Sequence, residues 1–85
     1  MEEKRIGTVI DYFAKIGVAA FRIEEGTLKL GDTIRFKGHT TDFTERVASM
    51  QIDCNSVQEA KVGDDIGIKV KERVRKKDIV YKVIE

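Results

Sequence analysis

The sequence predicts an all-β fold, a closed six-stranded antiparallel β-barrel, with residues 1–85 as a single domain. Three observations carry this. Apolar and polar residues alternate with period two, turn residues interrupt the alternation at short intervals, and the one segment with helical signals is a single turn long. Short strands at regular spacing indicate a barrel or a sandwich. Closure is favoured because it removes the edges that a six-stranded sheet would otherwise expose.

The elements follow in order along the chain. Ile6 to Phe13 is rich in β-branched and aromatic residues, as a strand requires. After the Lys15-Ile16-Gly17 turn, Val18 to Ile23 sets Ala19, Phe21 and Ile23 on one face and Arg22 on the other. Thr33 to Lys37 turns Ile34 and Phe36 inward and Thr33, Arg35 and Lys37 outward. Gly38-His39-Thr40-Thr41 breaks the pattern, which resumes from Phe43 to Asp53 with Ala48, Met50 and Ile52 in register. Phe43 and Val47 are out of phase with those residues, which predicts a bulge. Ser56-Val57-Gln58-Glu59 has the spacing of a capping box and predicts a helical turn, ended by Lys61-Val62-Gly63-Asp64. Ile66, Ile68 and Val70, and then Ile79, Tyr81 and Val83, supply the last alternating sets. Gly26 and Gly31 bracket a loop and are expected at positive φ. Leu28 and Leu30 between them are expected to fold back and plug one end of the barrel.

Composition narrows the function classes. A chain of 85 residues forms a core but leaves little room for a deep catalytic pocket. Sixteen Lys and Arg oppose fifteen Asp and Glu, so only local clustering can argue for a nucleic-acid partner. Cys54 is the only cysteine, which excludes an internal disulfide and suits a reducing cytosol. MEEKRIGTV lacks the features of a secretion signal, and no run approaches the roughly 18 apolar residues of a membrane span. A cytoplasmic protein with no membrane partner is therefore expected. Charged residues make up 36% of the chain while Asn55, Gln51 and Gln58 are its only amides, a bias found in heat-adapted proteins.

Little in the sequence suggests chemistry. His39, the only histidine, reads as a solvated turn residue ahead of a catalytic partner for Asp42 or Ser49. Cys54, beside Asp53, reads as a buried or half-buried residue at a strand end ahead of a nucleophile. One Cys and one His are too few for zinc. The neighbours Glu24-Glu25 and Asp64-Asp65 point to opposite faces of a strand and do not converge on a metal. Asp64 is expected to accept hydrogen bonds within its turn. No catalytic residue, metal or cofactor is expected.

One segment departs from the neutral average. Lys69-Val70-Lys71-Glu72-Arg73-Val74-Arg75-Lys76-Lys77 holds six basic residues among nine. Lys69 and Lys71 share the outward face, and Arg73, Arg75, Lys76 and Lys77 follow in a loop before Asp78. Arg22, Arg35 and Lys37 point outward from the earlier hairpin and are candidates to extend the patch. Spaced cations of this kind can contact RNA phosphates without reading sequence. They can equally pair with Glu72, Asp78 and other carboxylates in an ion network. No exposed aromatic row accompanies them, which argues against base stacking as the main mode.

Three motifs in order carry a family resemblance. Gly17-Val18 leading through Phe21-Arg22-Ile23-Glu24-Glu25-Gly26-Thr27-Leu28-Lys29-Leu30-Gly31-Asp32 resembles the second domain of the translational GTPases, elongation factor Tu and its relatives. Val47-Ala48-Ser49-Met50-Gln51-Ile52 followed by Glu59-Ala60-Lys61-Val62-Gly63-Asp64-Asp65-Ile66-Gly67-Ile68 resembles a later segment of the same domain, and Lys77-Asp78-Ile79-Val80 its closing Gly-Asp-Val-Leu. The likeness spans residues 6 to 84. Gly38 to Thr44 and Ser49 to Asp53 are similar to free-standing elongation-factor-like proteins and to the C-terminal extension of collagenase-like peptidases, several of which act in RNA modification. The chain lacks the Gly-x-x-x-x-Gly-Lys-Ser/Thr phosphate loop, so no nucleotide binding or GTPase activity is expected. Gln51 stands where the relatives place a carboxylate in the pocket for the tRNA end, and that recognition is not carried over.

The resemblance and the cations together imply a non-catalytic module bound to RNA or the ribosome. The alternative is a protein-interaction module beside a separate peptidase-like or RNA-modifying enzyme. An enzymatic role through His39 or Cys54 ranks last.

Overall fold

A computed structural model describes residues 2–84. Ten strands account for most of them: β1 Glu2–Phe13, β2 Val18–Ile23, β3 Thr27–Lys29, β4 Thr33–Lys37, β5 Asp42–Arg46, β6 Met50–Ile52, β7 Asn55–Val57, β8 Glu59–Lys61, β9 Asp65–Lys69 and β10 Ile79–Ile84. All pairings are antiparallel. Eight strands form one sheet in the order β5-β4-β10-β1-β2-β9-β6-β7, and β3 pairs with β8 in a separate ribbon.

The all-β expectation holds, and the count and closure do not. Ten strands in two sheets replace six, and the main ladder remains open between β5 and β7. Past the Thr33–Arg46 pair, Val47 N–H donates to the carbonyl of Asp32 at 2.9 Å and its carbonyl accepts from Gly31 N–H at 2.9 Å, which carries the contact between these segments one residue further. In place of the expected bulge, residues 47–49 separate β5 from β6, with Val47 and Met50 buried and Ala48 exposed.

The sheet still curls on itself, because both of its ends feed one apolar cluster. Phe43 from β5 and Met50 from β6 join Ile6, Val9, Phe21, Ile34, Phe36, Ile66, Ile68 and Val80 there. Phe36 sits between two other rings, edge-on to Phe21 at 5.8 Å and stacked with Phe43 at 5.2 Å. Offset and edge-to-face pairs of this kind add to the burial of apolar area. Ala19, Phe21 and Ile23, and Ile34 with Phe36, point inward as the alternation predicts.

Two bulges in β1 let a long strand serve both neighbours. The register shifts between Arg5 and Gly7 against β10 and between Val9 and Asp11 against β2. Each extra residue re-aims the side chains, so that Ile6 and Val9 are buried and Tyr12 packs on the core. Gly7 lies in this crowded stretch, and a methyl group there would be driven into the backbone carbonyl of Arg22. Because that obstacle is backbone, Gly7→Ala is expected to lower stability by about 3 kcal/mol. Urea unfolding checks this as a lower midpoint at an unchanged slope.

Three local expectations are corrected. The segment around Ser56 is extended in β7 and β8, with no helical turn. A two-residue turn, Asp53-Cys54, joins β6 to β7, and both residues have positive φ (50° and 65°) as the twist of a tight hairpin requires. Cys54 is consequently exposed, not buried at a strand end. Leu28 plugs the core from β3, opposite Ala60 of β8, but Leu30 remains 41% exposed. In β10 the inward residue is Val80, level with Phe36, while Ile79, Tyr81 and Val83 are half-buried on the other side.

Candidate nucleic-acid interface

Three turns with one hydrogen-bond scheme shape the surface. In Lys29–Asp32, Lys61–Asp64 and Arg75–Asp78, the aspartate N–H donates to the carbonyl of the residue three before it (3.1, 3.0 and 3.1 Å). The aspartate carboxylate in turn accepts that residue's N–H (2.8, 2.9 and 2.9 Å). Asp64 thus has the turn role expected of it. The residue before each aspartate has positive φ: Gly31 at 92°, Gly63 at 95° and Lys77 at 76°. Glycine adopts that conformation freely, whereas a lysine is strained there.

The strained copy of the turn holds the basic segment in place. Val74 is buried in the core and anchors residues 70–78. Asp78 is 5% exposed, its carboxylate packed on Gly38 while its carbonyl accepts from Val9 N–H at 2.8 Å. Lys77 N–H donates to Val9 carbonyl at 2.8 Å. With Val74 and Asp78 facing in, the side chains of Arg73, Arg75, Lys76 and Lys77 are left outside. Lys77→Gly is expected to relieve the strain and raise stability by up to about 1 kcal/mol. Thermal unfolding would register this as a higher Tm.

The ion pairs of the domain lie elsewhere. Arg5 meets Glu24 at 2.8 Å, and Lys82 meets Asp32 at 3.3 Å. Arg22 grips Asp65 through Nε at 2.7 Å, and Arg35 joins Asp42 at 2.8 Å and Glu3 at 3.1 Å. Among the described residues, no carboxylate lies within ion-pair distance of the side-chain nitrogens of Lys69, Lys71, Arg73, Arg75, Lys76 or Lys77. Arg75 Nε donates to Thr40 Oγ1 at 3.0 Å, and the Lys71 backbone N–H, not its ammonium, reaches Glu45.

The nine cations singled out by the sequence therefore divide. Lys37 joins the basic segment, lining with Thr40, Glu72 and Arg73 an open cleft of about 450 Å³. Arg22 and Arg35 do not extend the patch, because each is engaged by carboxylates on the strands. Their hydrogen bonds hold the Asp65 and Asp42 carboxyl groups below the ordinary range for aspartate and raise the two guanidinium groups further. A carboxylate with a depressed folded pKa contributes fully above its unfolded value, and the contribution disappears as pH falls through the folded one. The Asp65 carboxyl carbon is thus expected to titrate by NMR below its ordinary value, and Arg22→Gln to return it upward.

His39 lies in the β4–β5 loop, lining one cleft with Asp42 and Glu72, and Cys54 is exposed in the β6–β7 turn. No group of three or more His, Cys, Asp or Glu side chains that could hold a metal ion forms among the described residues. What the sequence missed is the neighbour of the basic segment. Phe13 pairs with Val18, and Val18 with Lys69, so the exposed tip of the β1–β2 hairpin stands beside the start of the cations. Gly17 carbonyl accepts Val70 N–H at 2.9 Å at the same place. The available signal was Phe13 and Ile16 at a predicted turn, where apolar residues have no core to face.

Comparison with known proteins places this geometry. The chain is 40% identical over 78 residues to a collagenase of Porphyromonas gingivalis, a match covering 91% of this chain and 22% of that protein. It is 42% identical over 77 residues to an uncharacterized protease of Methanocaldococcus jannaschii, covering 89% and 19%. The chain thus spans about a fifth of the length of these curated relatives. In fold it resembles the C-terminal domain of a Geobacillus thermoleovorans protein assigned as a U32 peptidase, with a TM-score of 0.85 at 20% identity over 91% of this chain and 96% of that one. Residues 17–79 match the model of elongation factor Tu domain 2, and the chain belongs to that family.

Proposed function

We propose that this domain is a non-catalytic module that holds the phosphate backbone of structured RNA, ribosomal or transfer, against Lys37, Lys69, Lys71, Arg73, Arg75, Lys76 and Lys77. One observation carries the reading: six cations lie together in the 69–77 segment without a carboxylate partner among the described residues. The other cations without one (Lys4, Lys15, Lys29, Lys37, Arg46 and Lys61) are scattered along the chain, and Arg5, Arg22, Arg35 and Lys82 are paired. An ion network would have engaged the segment; a surface kept for an external polyanion leaves it open. The strain at Lys77 supports the same view, since the two sister turns place glycine at the positive-φ position and this one places a cation there. The domain acts without bound nucleotide, metal or catalytic side chain of its own.

Titration of a labelled RNA hairpin at several salt concentrations tests this. Contacts to four to six phosphates give a slope of log K against log salt of about −3 to −5. A flat dependence, or no binding at low salt, overturns it. A second reading rests on size: a segment corresponding to a fifth of the curated relatives suits an accessory domain that docks on a larger peptidase-like or RNA-modifying partner. Retention of one stoichiometric protein, with no nucleic acid, favours that reading.

A further inference from the structure

The β1–β2 hairpin ends in apolar residues that the core does not use. Phe13 is 46% exposed and Ile16 60%, whereas the other phenylalanines, Phe21, Phe36 and Phe43, are buried. A single exposed apolar residue is ordinary, but Phe13 and Ile16 stand together at one hairpin tip beside cations without carboxylate partners, and those surroundings point to a partner and restrict which one. Residues directly opposite across antiparallel strands share a face, so the row Phe13, Val18, Lys69 presents the ring and an ammonium without a carboxylate partner on one surface, their backbone positions about 10 Å apart at the usual strand spacing. Around the end of the hairpin, Tyr12 lines a cleft of about 230 Å³ with Arg73, Arg75 and Lys76, and Asp11 is the one carboxylate in that lining. Aromatic ring and cations thus come from segments more than fifty residues apart in sequence and meet only through the sheet register.

We infer that Phe13 stacks on an unpaired base of the RNA whose backbone lies along the 69–77 segment. The interface then selects RNA with unpaired nucleotides, a loop, bulge or end, over continuous duplex. This rests on the RNA reading given above. Inside A-form duplex the bases are stacked on one another and present no free face, so a ring at this position gains nothing there. An unpaired base offers its face, and a cation within one nucleotide's reach neutralises the adjoining phosphate. Stacking is tolerant of base identity, so this contact needs no reading of base edges. Of the other exposed apolar residues, Leu30 and Val62 lie in turns of the β3–β8 ribbon and Ile10 on β1, all outside the basic segment.

The experiment compares two labelled RNAs with the same stem, one fully paired and one with an unpaired loop, by fluorescence anisotropy. The unmodified domain is expected to bind the looped RNA roughly tenfold more tightly. Phe13→Leu, which keeps the apolar volume on an exposed site, should erase that preference and leave duplex affinity and salt slope unchanged, while Phe13→Trp should retain it. Circular dichroism confirms that each variant folds. Equal binding of the two RNAs, or an undiminished preference in Phe13→Leu, overturns the stacking role while leaving backbone contact standing. Absence of salt-dependent binding to either RNA removes the RNA reading itself. Phe13-dependent binding to phosphatidylserine vesicles, or to a protein, without any preference between the RNAs also overturns the inference.

Discussion

Replacing Phe36 with alanine is expected to remove about 4 kcal/mol of stability, the largest loss from any single core substitution in this domain. Phe36 is fully buried at the middle of β4 and touches Phe21 on one side and Phe43 on the other. Truncation removes the apolar area of one ring and strips both neighbours of their aromatic contact. The void then sits where the curled sheet brings β2, β4 and β5 together, and hydrogen-bonded strands on every side limit its collapse. A domain of this size holds roughly 4 to 13 kcal/mol in total, so the variant would be close to half unfolded or worse at the low end. Guanidinium unfolding measures the change directly. A loss below about 1 kcal/mol would mean that Phe36 is not the centre of the core.

Removing the charges of the basic loop should have the largest effect on binding. Arg73→Gln, Arg75→Gln, Lys76→Gln and Lys77→Gln combined are expected to weaken affinity for a structured RNA on the order of 100-fold at low salt. The slope of log K against log salt should become shallower by about four, near one for each cation lost. The substitutions leave the buried anchors Val74 and Asp78 in place, so the loop keeps its course. Lys29→Gln with Lys61→Gln removes two charges from the β3–β8 ribbon and serves as the control. If both sets weaken binding equally, affinity follows net charge alone and the loop has no special part. If neither does, RNA contact is excluded as its role.

Lys77 connects the two measurements. Lys77→Gly is expected to gain stability and lose one phosphate contact, a trade that a purely structural turn would not show. A gain in both stability and RNA affinity would contradict the placement of Lys77 in the interface.

The sequence by itself determined the strand character and most of the inward sets. Ala19, Phe21 and Ile23, and Ile34 with Phe36, were legible because burial on one face forces period two and nothing interrupts it. The family was legible too, since its Gly-Asp motifs are self-contained turns whose hydrogen bonds close within four residues. Where a feature depended on a distant partner, the sequence misled. Ile79, Tyr81 and Val83 formed the alternating set of the last strand, yet Val80 is its buried residue, and Lys82, of the same parity, is satisfied by the Asp32 carboxylate and the carbonyl of Thr27. Ser56 to Glu59 matched a helix cap in spacing, yet pairing with β6 and β3 holds those residues extended.

The candidate interface divides along the same line. Six cations in nine residues are visible in any reading of the chain. That they lack internal counterions, that Arg22 and Arg35 have them, and that Phe13 stands beside Lys69 were settled only when the strands took their register. Local rules act over a few residues, whereas a charge or an aromatic ring takes its meaning from whatever the fold brings within a few ångströms of it.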